Sequence, residues 1–463
     1  LAYNQEDWQA MNISDLKLDL DLEPITAGMV ELMTELYPIC RSITGNGVRQ
    51  TLQGIGNRIP LVIHEVPTGT PVFDWTVPKE WNIRDAYVKN CRGDRVIDFQ
   101  RSNLHVVNYS VPVHQTMSLA ELKTHLHTLP DHPDWVPYRS SYYKETWGFC
   151  LSHRQMLALE EGEYEVCIDA SLEPGSLTYG EYYLPGDQAE EVLISCHVCH
   201  PSLANDNLSG IAIATLLAQT LAQVSRRYSY RFVFLPVTIG AITWLSRNEA
   251  QVPRIKHGLV LSCLGDPGHS TYKKSRRGDA AVDRAVQHVL SHSGQPYDVI
   301  DFLPYGYDER QYCSPGFNLA IGCLMRTPNG KFPQYHTSAD NLEFVQPSAL
   351  TDSFSKCLSV LGILEADRIY LNQNPKCEPQ LGKRGLYRSI GGSAGTGLNE
   401  LAMLWTLNLS DGQHSLLDIA EHSGFRFDDI YRVANLLIEH NLLKELSVST
   451  ELPTDKATLI ADG

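Results

Sequence analysis

The chain is expected to fold as an α/β protein with a largely parallel sheet, a mostly β insertion and an all-helical tail. Three patterns predict this. Strand-type and helix-type segments alternate from residue 188 to about 370, which specifies crossover units on a parallel sheet. Residues 71–187 are rich in Pro, Tyr and Trp and carry only short apolar runs. Residues 395–463 are helical in pattern throughout.

Residues 24–70 open the α/β domain. ITAGMVELMTELYPICRSITGNGVRQTLQGIGNRI spaces apolar residues three and four apart, the helical period, and LVIHEVP follows as a short strand. Within 71–187, RVIDF, LHVVNYSVPV and YEVCIDASL alternate or are β-branched, with turn residues between them. The α/β pattern resumes at 188, so this stretch is an insertion. From 188 to 372 the order is EEVLISCH (strand), GIAIATLLAQTLAQV (helix), YRFVFLPVTI (strand), GAITWLSRN (helix), GLVLSCLG (strand), DRAVQHVLSHSG (helix) and NLAIGCLM (strand). SALTDSFSKCLSVLGILEADRIYL closes the domain as a long helix. GGSAGTG (391–397) is a flexible linker. In the tail, SLLDIAEHSGFRFDDIYRVANLLIEHNLLKEL gives helix, turn at Ser423–Gly424, and helix, the helix-turn-helix spacing, with a short ending that suits a wing.

Bulk properties exclude several classes. A hydrophobic share of 43% with 20% charged residues is ordinary for a globular protein. No apolar run reaches the roughly 20 residues a bilayer span requires. The opening LAYNQEDWQAMNISDLKLDL is acidic and lacks a basic-then-apolar export pattern, so a cytoplasmic location and no membrane partner are expected. The 11 cysteines then read as reduced thiols. A net charge of −16 argues against nucleic acid, whose affinity comes from clustered Lys and Arg. The tail repeats this: residues 395–463 hold four Lys or Arg against eleven Asp or Glu. Its second helix opens with Asp428 and Asp429, where base contacts would lie. Protein packing or homo-oligomerisation through this domain is expected instead, with Leu436, Leu437, Ile438, Leu442 and Leu443 partly as core.

The chemistry concentrates in ISCHVCHPSLANDNLSG (194–210). Cys196–His200 fits a haem-attachment pattern, but covalent haem belongs to exported proteins and no axial methionine segment follows. A zinc knuckle needs a second close cysteine pair, and Cys313 and Cys323 stand ten apart. A third reading places His197 at a strand's carboxyl end and Asp206 on the loop into the next helix, where open α/β sheets bind ligands. Taken singly, each is more simply a core histidine or a helix cap. A third partner, His336 in QYHTSADNLEFV, changes the balance, with Asp340 and Asn341 as caps for the final helix. His197, Asp206 and His336 supply three ligands and leave a fourth position for water, the pattern of a catalytic zinc.

These segments, in this order, resemble the zinc-dependent aminopeptidase superfamily that also contains glutaminyl cyclases and transferrin-receptor-like proteins. Its pattern is a histidine after a strand, an Asp-x-x-Ser-Gly-type loop with a bridging aspartate, and a late Tyr-His-Thr-x-x-Asp. YGYDERQYCSPGFNLAIG (305–322) is similar to a further active-site stretch. The resemblance implies a three-layer α/β/α domain with zinc at the sheet's end. More narrowly, CHPSLANDNLSG, TIGAITWLSRN, DERQYCSPG, YHTSADN and EPQLGKRGLY resemble a bacterial family of aminopeptidase-like proteins. That family carries an inserted β domain and a C-terminal winged helix, and often occurs beside polysaccharide-biosynthesis genes.

The chain departs from the superfamily at informative places. Val237 and Thr238 stand where the resemblance implies a Glu-Glu pair of base and second-zinc ligand. Ser262 and Cys263 stand near the position where the resemblance implies a further zinc-binding aspartate, with Asp266 a little beyond. One zinc ion is therefore expected, with His200 as a further ligand or a group behind the ligands. Glu309 is the expected base and Asp308 a ligand or orienter; the alternative is a surface ion pair with Arg310. Tyr312, Tyr335 and Tyr307 are oxyanion or substrate contacts, or else packing. Lys383 and Arg384 bind a substrate carboxylate or another anion, or else are simply solvated. The expected activity is zinc-dependent hydrolysis of a small amide: a peptide N-terminus or an acylated amine on a sugar-linked precursor. The rival from another class is a binding or scaffold protein on the same fold.

Overall fold

The computed structural model describes residue 13, residues 20–386 and residues 400–446. The chain forms two compact units, Leu1–Glu365 and Ala366–Gly463. The linker GGSAGTG lies outside the described residues.

The first unit begins with helices α1 (Leu22–Leu36) and α2 (Asn46–Gly56). The second starts directly after Gly45, where φ is +97° and a Cβ would sit 1.9 Å from the Trp81 carbonyl oxygen. Strand β1 (Val62–Pro67) follows. Next come β2 (Glu80–Lys89), β3 (Arg95–Asp98), β4 (Val113–Ser118) and β5 (Glu163–Glu173). These four form their own antiparallel sheet, in the order β3-β2-β5-β4. The expected strand LHVVNYSVPV instead starts as a 3-10 turn at Asn103–His105 and runs on as loop.

The main sheet is built from β6 (Ser176–Leu184), β7 (Glu191–His197), β8 (Ser229–Leu235), β9 (Ile255–Leu261), β10 (Ser270–Lys273), β11 (Tyr297–Ile300) and β12 (Ile321–Met325), together with β1. Its order is β1-β6-β8-β7-β9-β12-β10-β11. The centre, β8-β7-β9-β12, is parallel. Every residue of β7, β8 and β12 is buried, which is why these strands read as unbroken apolar runs. Helices α3 (Ser209–Leu221), α4 (Ile239–Arg247), α5 (Ala281–Ser291) and α7 (Pro347–Ala366) connect or cover them. Only Gln219 of α3 is not buried, because the helix lies between the sheet and α1.

Two boundaries differ from expectation. Ser176–Leu184 pairs with β1 and β8, so the insertion ends near residue 175 rather than 187. Its core is continuous with the main one: Trp81, Val166 and Ile168 share a cluster with Leu193, Val233 and Trp244. The long helix stops at Ala366, and Ile369–Asn372 is a strand of the second unit.

That unit holds β13 (Ile369–Asn372), α8 (Glu400–Leu409), β14 (Asp411–Ser415), α9 (Leu416–Ser423), α10 (Phe427–Glu439) and β15 (Leu443–Glu445). Ser415 caps α9 through a capping box with Asp418, and Gly424 ends it at φ +72°. The strands form a sheet in the order β14-β13-β15. This is a winged helix-turn-helix that starts some thirty residues before the expected 395. Among the described residues, no helix is long and apolar enough to cross a membrane.

Candidate metal centre

From β7 the chain passes to β8 on one side and later to β9 on the other. This reversal opens a crevice beyond the strands' carboxyl ends, and His197 is the last residue of β7. The loop Ala204–Leu208 beyond it is wholly buried, so its polar groups must be satisfied internally. The Asp340 carboxylate accepts the N–H groups of Asn205 (2.6 Å) and Asp206 (3.0 Å). The Asn205 side chain accepts from the Gly265 amide (2.8 Å) and donates to Asp266 (3.1 Å). Gly210 lets the helix start here: a Cβ would lie 2.5 Å from the Leu261 carbonyl oxygen and 2.4 Å from Asn207 Oδ1.

Asp206 is fully buried and turns each carboxylate oxygen to a different imidazole. Oδ1 lies 2.9 Å from His197 Nε2, and Oδ2 lies 3.0 Å from His336 Nε2. The ligand atoms of His197, His200 and Asp206 all fall within 4.8 Å of one another. The His200 ring lies 4.9 Å from that of His197 and 5.1 Å from that of His336. His336 has φ +55°, a left-handed conformation uncommon outside glycine; its carbonyl accepts the Tyr138 amide at 2.8 Å.

Burial alone would raise the Asp206 carboxyl. The facing imidazoles of His200, His197 and His336 outweigh it and hold Asp206 well below the usual carboxylate range. Burial also pushes His200 well below the ordinary imidazole value, so it is neutral, the form that binds metal. Burial pushes the Cys196 thiol up, as it does that of Cys199, which disfavours thiolate ligands here. Asp340 is raised to about 8, chiefly by burial.

The donor set fits zinc. A tetrahedral ion bound at about 2.0–2.1 Å separates its ligand atoms by about 3.3 Å. Groups already within 4.8 Å need only small side-chain rotations to close on one ion. The three residues expected to share a metal thus meet on one carboxylate. His200 stands in the tight set, and His336 approaches the carboxylate's outer oxygen.

Other candidates lie elsewhere. Glu309, in the short helix α6 (Glu309–Tyr312), is fully buried and paired with Lys273 rather than with Arg310. Asp308 is fully buried; burial, reinforced by Glu309, pushes it well above the usual carboxylate range. A base must reach the reacting proton, and neither lines the cavity over the histidines. Tyr312 is buried with its hydroxyl 2.9 Å from Ser195 Oγ, a packing position. Asp266 binds Asn205, Gly268 and Thr327. Asp340 does not cap the final helix, which begins at Pro347. Lys383 and Arg384 sit on a 3-10 turn of the second unit.

A cavity of about 550 Å³ opens on His200 and His336. Tyr307 and Tyr335 line it as expected, with Val237 and Thr238. Tyr307 stacks on His197 and Tyr335 on His336, at 5.0 and 3.9 Å between centroids. The insertion contributes Trp75 and the Tyr138–Tyr143 segment. Sequence reasoning passed over that segment, although VPYRSSYYK is conspicuously aromatic and basic.

The fold and its donor set define an aminopeptidase-like α/β protein with a C-terminal winged helix. The chain belongs to the family described as a domain of unknown function, DUF4910, whose model matches residues 30–367; a winged helix-turn-helix model matches residues 368–445. A Clostridium acetobutylicum protein is 57% identical over 413 residues, covering 89% of this chain and 95% of that one. Its provisional name is polysaccharide biosynthesis protein with aminopeptidase-like domain. A crystal structure of a peptidase, provisionally so named, from the same organism superposes with a TM-score of 0.89 at 52% identity, covering 94% of this chain and all of that one. BSAP, a zinc aminopeptidase from Bacillus subtilis, shares the fold at TM-score 0.54 and 10% identity, covering 74% of this chain and 95% of its own. A peptidase M28 precursor from Shewanella amazonensis does so at 0.54 and 12%, covering 78% and 96%.

Proposed function

We propose that this chain is a zinc-dependent amide hydrolase that works with one metal ion. The observation that carries the reading is the Asp206 carboxylate, shared between His197 and His336 with His200 in ligand range. His197, His200 and Asp206 hold the ion. When bound there, zinc would supply Lewis acidity and lower the pKa of water toward neutrality. His336 moves the proton, its Nε2 held 3.0 Å from Asp206 Oδ2. Its side chain is 32% exposed, so substrate can reach it. Burial raises the phenols of Tyr307 and Tyr335, keeping them protonated as donors to a developing oxyanion.

The relative's name supports an acylated amine on a sugar-linked precursor as substrate, with a peptide N-terminus as the other small amide. No nucleic acid or membrane partner enters this reading, and the winged-helix unit is assigned to self-association. Zinc content followed by turnover of N-acyl and aminoacyl amides tests the proposal. His336→Gln is expected to keep zinc and lose about 10²–10⁴-fold in turnover, the usual contribution of a general base. Failure of the native chain to take up zinc would end the reading. The rival, a binding or scaffold protein, is favoured by Val237 and Thr238 in place of carboxylates; zinc bound without turnover of either amide class would select it.

A further inference from the structure

Resting on the hydrolase reading above, we propose that the substrate carries an anionic group, a carboxylate or a phosphate, held by Arg139 and Arg310. Both arginines line the cavity that opens on His200 and His336. Among the described residues, no Asp, Glu or Lys lines it. The lining is therefore cationic in a chain with 54 acidic against 38 basic residues.

Neither guanidinium group is paired with a carboxylate among the described residues, unlike several others of the unit. Arg49, Arg84, Arg95, Arg231 and Arg326 each pair with a carboxylate. Arg310 has a buried Nε with no hydrogen-bond partner, and its guanidinium lies 6.0 Å from the Tyr305 ring. Arg139 is exposed and has no ion-pair partner among the described residues. A planar guanidinium matches carboxylate or phosphate through two parallel N–H donors.

Their placement beside the reacting groups is fixed by backbone. The Tyr138 amide donates to the His336 carbonyl at 2.8 Å, and the Ser338 amide donates to the Val136 carbonyl at 2.8 Å. Arg139 thus follows a segment tied to the late histidine motif. Arg310 belongs to α6, three residues after Tyr307, another cavity residue. A free ammonium would meet two cations here with no opposing acid among the lining residues. An amide with a nearby acidic group meets complementary charge, which raises both its local concentration and its rate of encounter.

Calorimetric titration of the full chain with inorganic phosphate, malonate and neutral acetamide tests this, with and without zinc. The variants are Arg139→Ala, Arg310→Gln and the double substitution, each checked for folding by circular dichroism. The exposed Arg139 tolerates alanine, and Arg310→Gln keeps a polar stem. At least one anion is expected to bind the zinc-free wild type, at least tenfold more weakly in the double variant, while acetamide does not bind. Tighter phosphate marks a phosphorylated substrate; tighter malonate marks a carboxylate. Equal anion binding by wild type and double variant, or none by wild type in either metal state, overturns the proposal. Anion binding without turnover of any amide would sink the hydrolase reading alone. Turnover of neutral amides, with no arginine dependence for anionic ones, would sink the anion proposal alone.

Discussion

The Asp340 carboxylate accepts the backbone N–H of Asp206 at 3.0 Å, so the late histidine motif holds the buried Ala204–Leu208 loop by its main chain. Asp340→Ala removes both this bond and the 2.6 Å bond from Asn205. Buried donors left unpaired cost about 1–3 kcal/mol, and loss of a group that orients ligands lowers metal affinity about 10–100-fold. Competition titration with a zinc chelator, alongside urea unfolding, is expected to give both losses, with smaller ones for Asp340→Asn.

Glu309 is expected to matter for stability rather than turnover. It and Lys273 are both buried and paired, and Lys273 Nζ also donates to the Tyr305 carbonyl at 2.7 Å. Breaking a buried pair leaves an uncompensated charge and costs about 3–5 kcal/mol. Urea unfolding of Glu309→Gln checks this, and Lys273→Met with Glu309→Met together should recover part of the loss. A Glu309→Gln variant of wild-type stability but without turnover would restore Glu309 as the base.

His257 gives the fold an acid-side weakness. Burial first, then the nearby Arg227, Lys256 and Arg277, lower its pKa from about 6.5 to about 4. Between those values the unfolded chain binds a proton that the folded chain does not. The stability it contributes is intact above about pH 6.5 and lost as the pH falls toward 4. Urea midpoints at pH 7.5 and 5 are expected to differ less in His257→Gln than in the wild type.

The tail should not bind DNA. Asp428 and Asp429 occupy the first turn of the second helix of the helix-turn-helix, where a reader would place donors for bases and phosphates. A random duplex is expected to run unshifted at low salt with the full chain. A salt-sensitive shift would contradict this.

Much of the architecture was legible in the sequence because buried parallel strands are unbroken apolar runs and helices keep their period. His197 and Asp206 were legible because they end or follow such a segment, and His336 through its Tyr-His-Thr-x-x-Asp motif. What stayed hidden depends on pairing across long separations. Ser176–Leu184 has the Tyr-rich composition of the insertion, yet its partners are β1 and β8. Ser270–Lys273 and Tyr297–Ile300 are four residues each, too short for a periodic signal. Glu309 sits in a motif that the resemblance marks as active-site, but its pairing with Lys273 is a contact that no local pattern encodes. Arg139 reaches the cavity only because residues 136–138 meet 336–338, some 200 positions away.

The central claim is that one ion is gripped by His197, His200 and Asp206, with His336 beside it. An anomalous-difference map from zinc-soaked crystals tests it most directly. The account predicts a single peak about 2.0–2.2 Å from a nitrogen of His197, a nitrogen of His200 and an oxygen of Asp206. No peak there at saturating zinc, or a peak bound only by other residues, would contradict it.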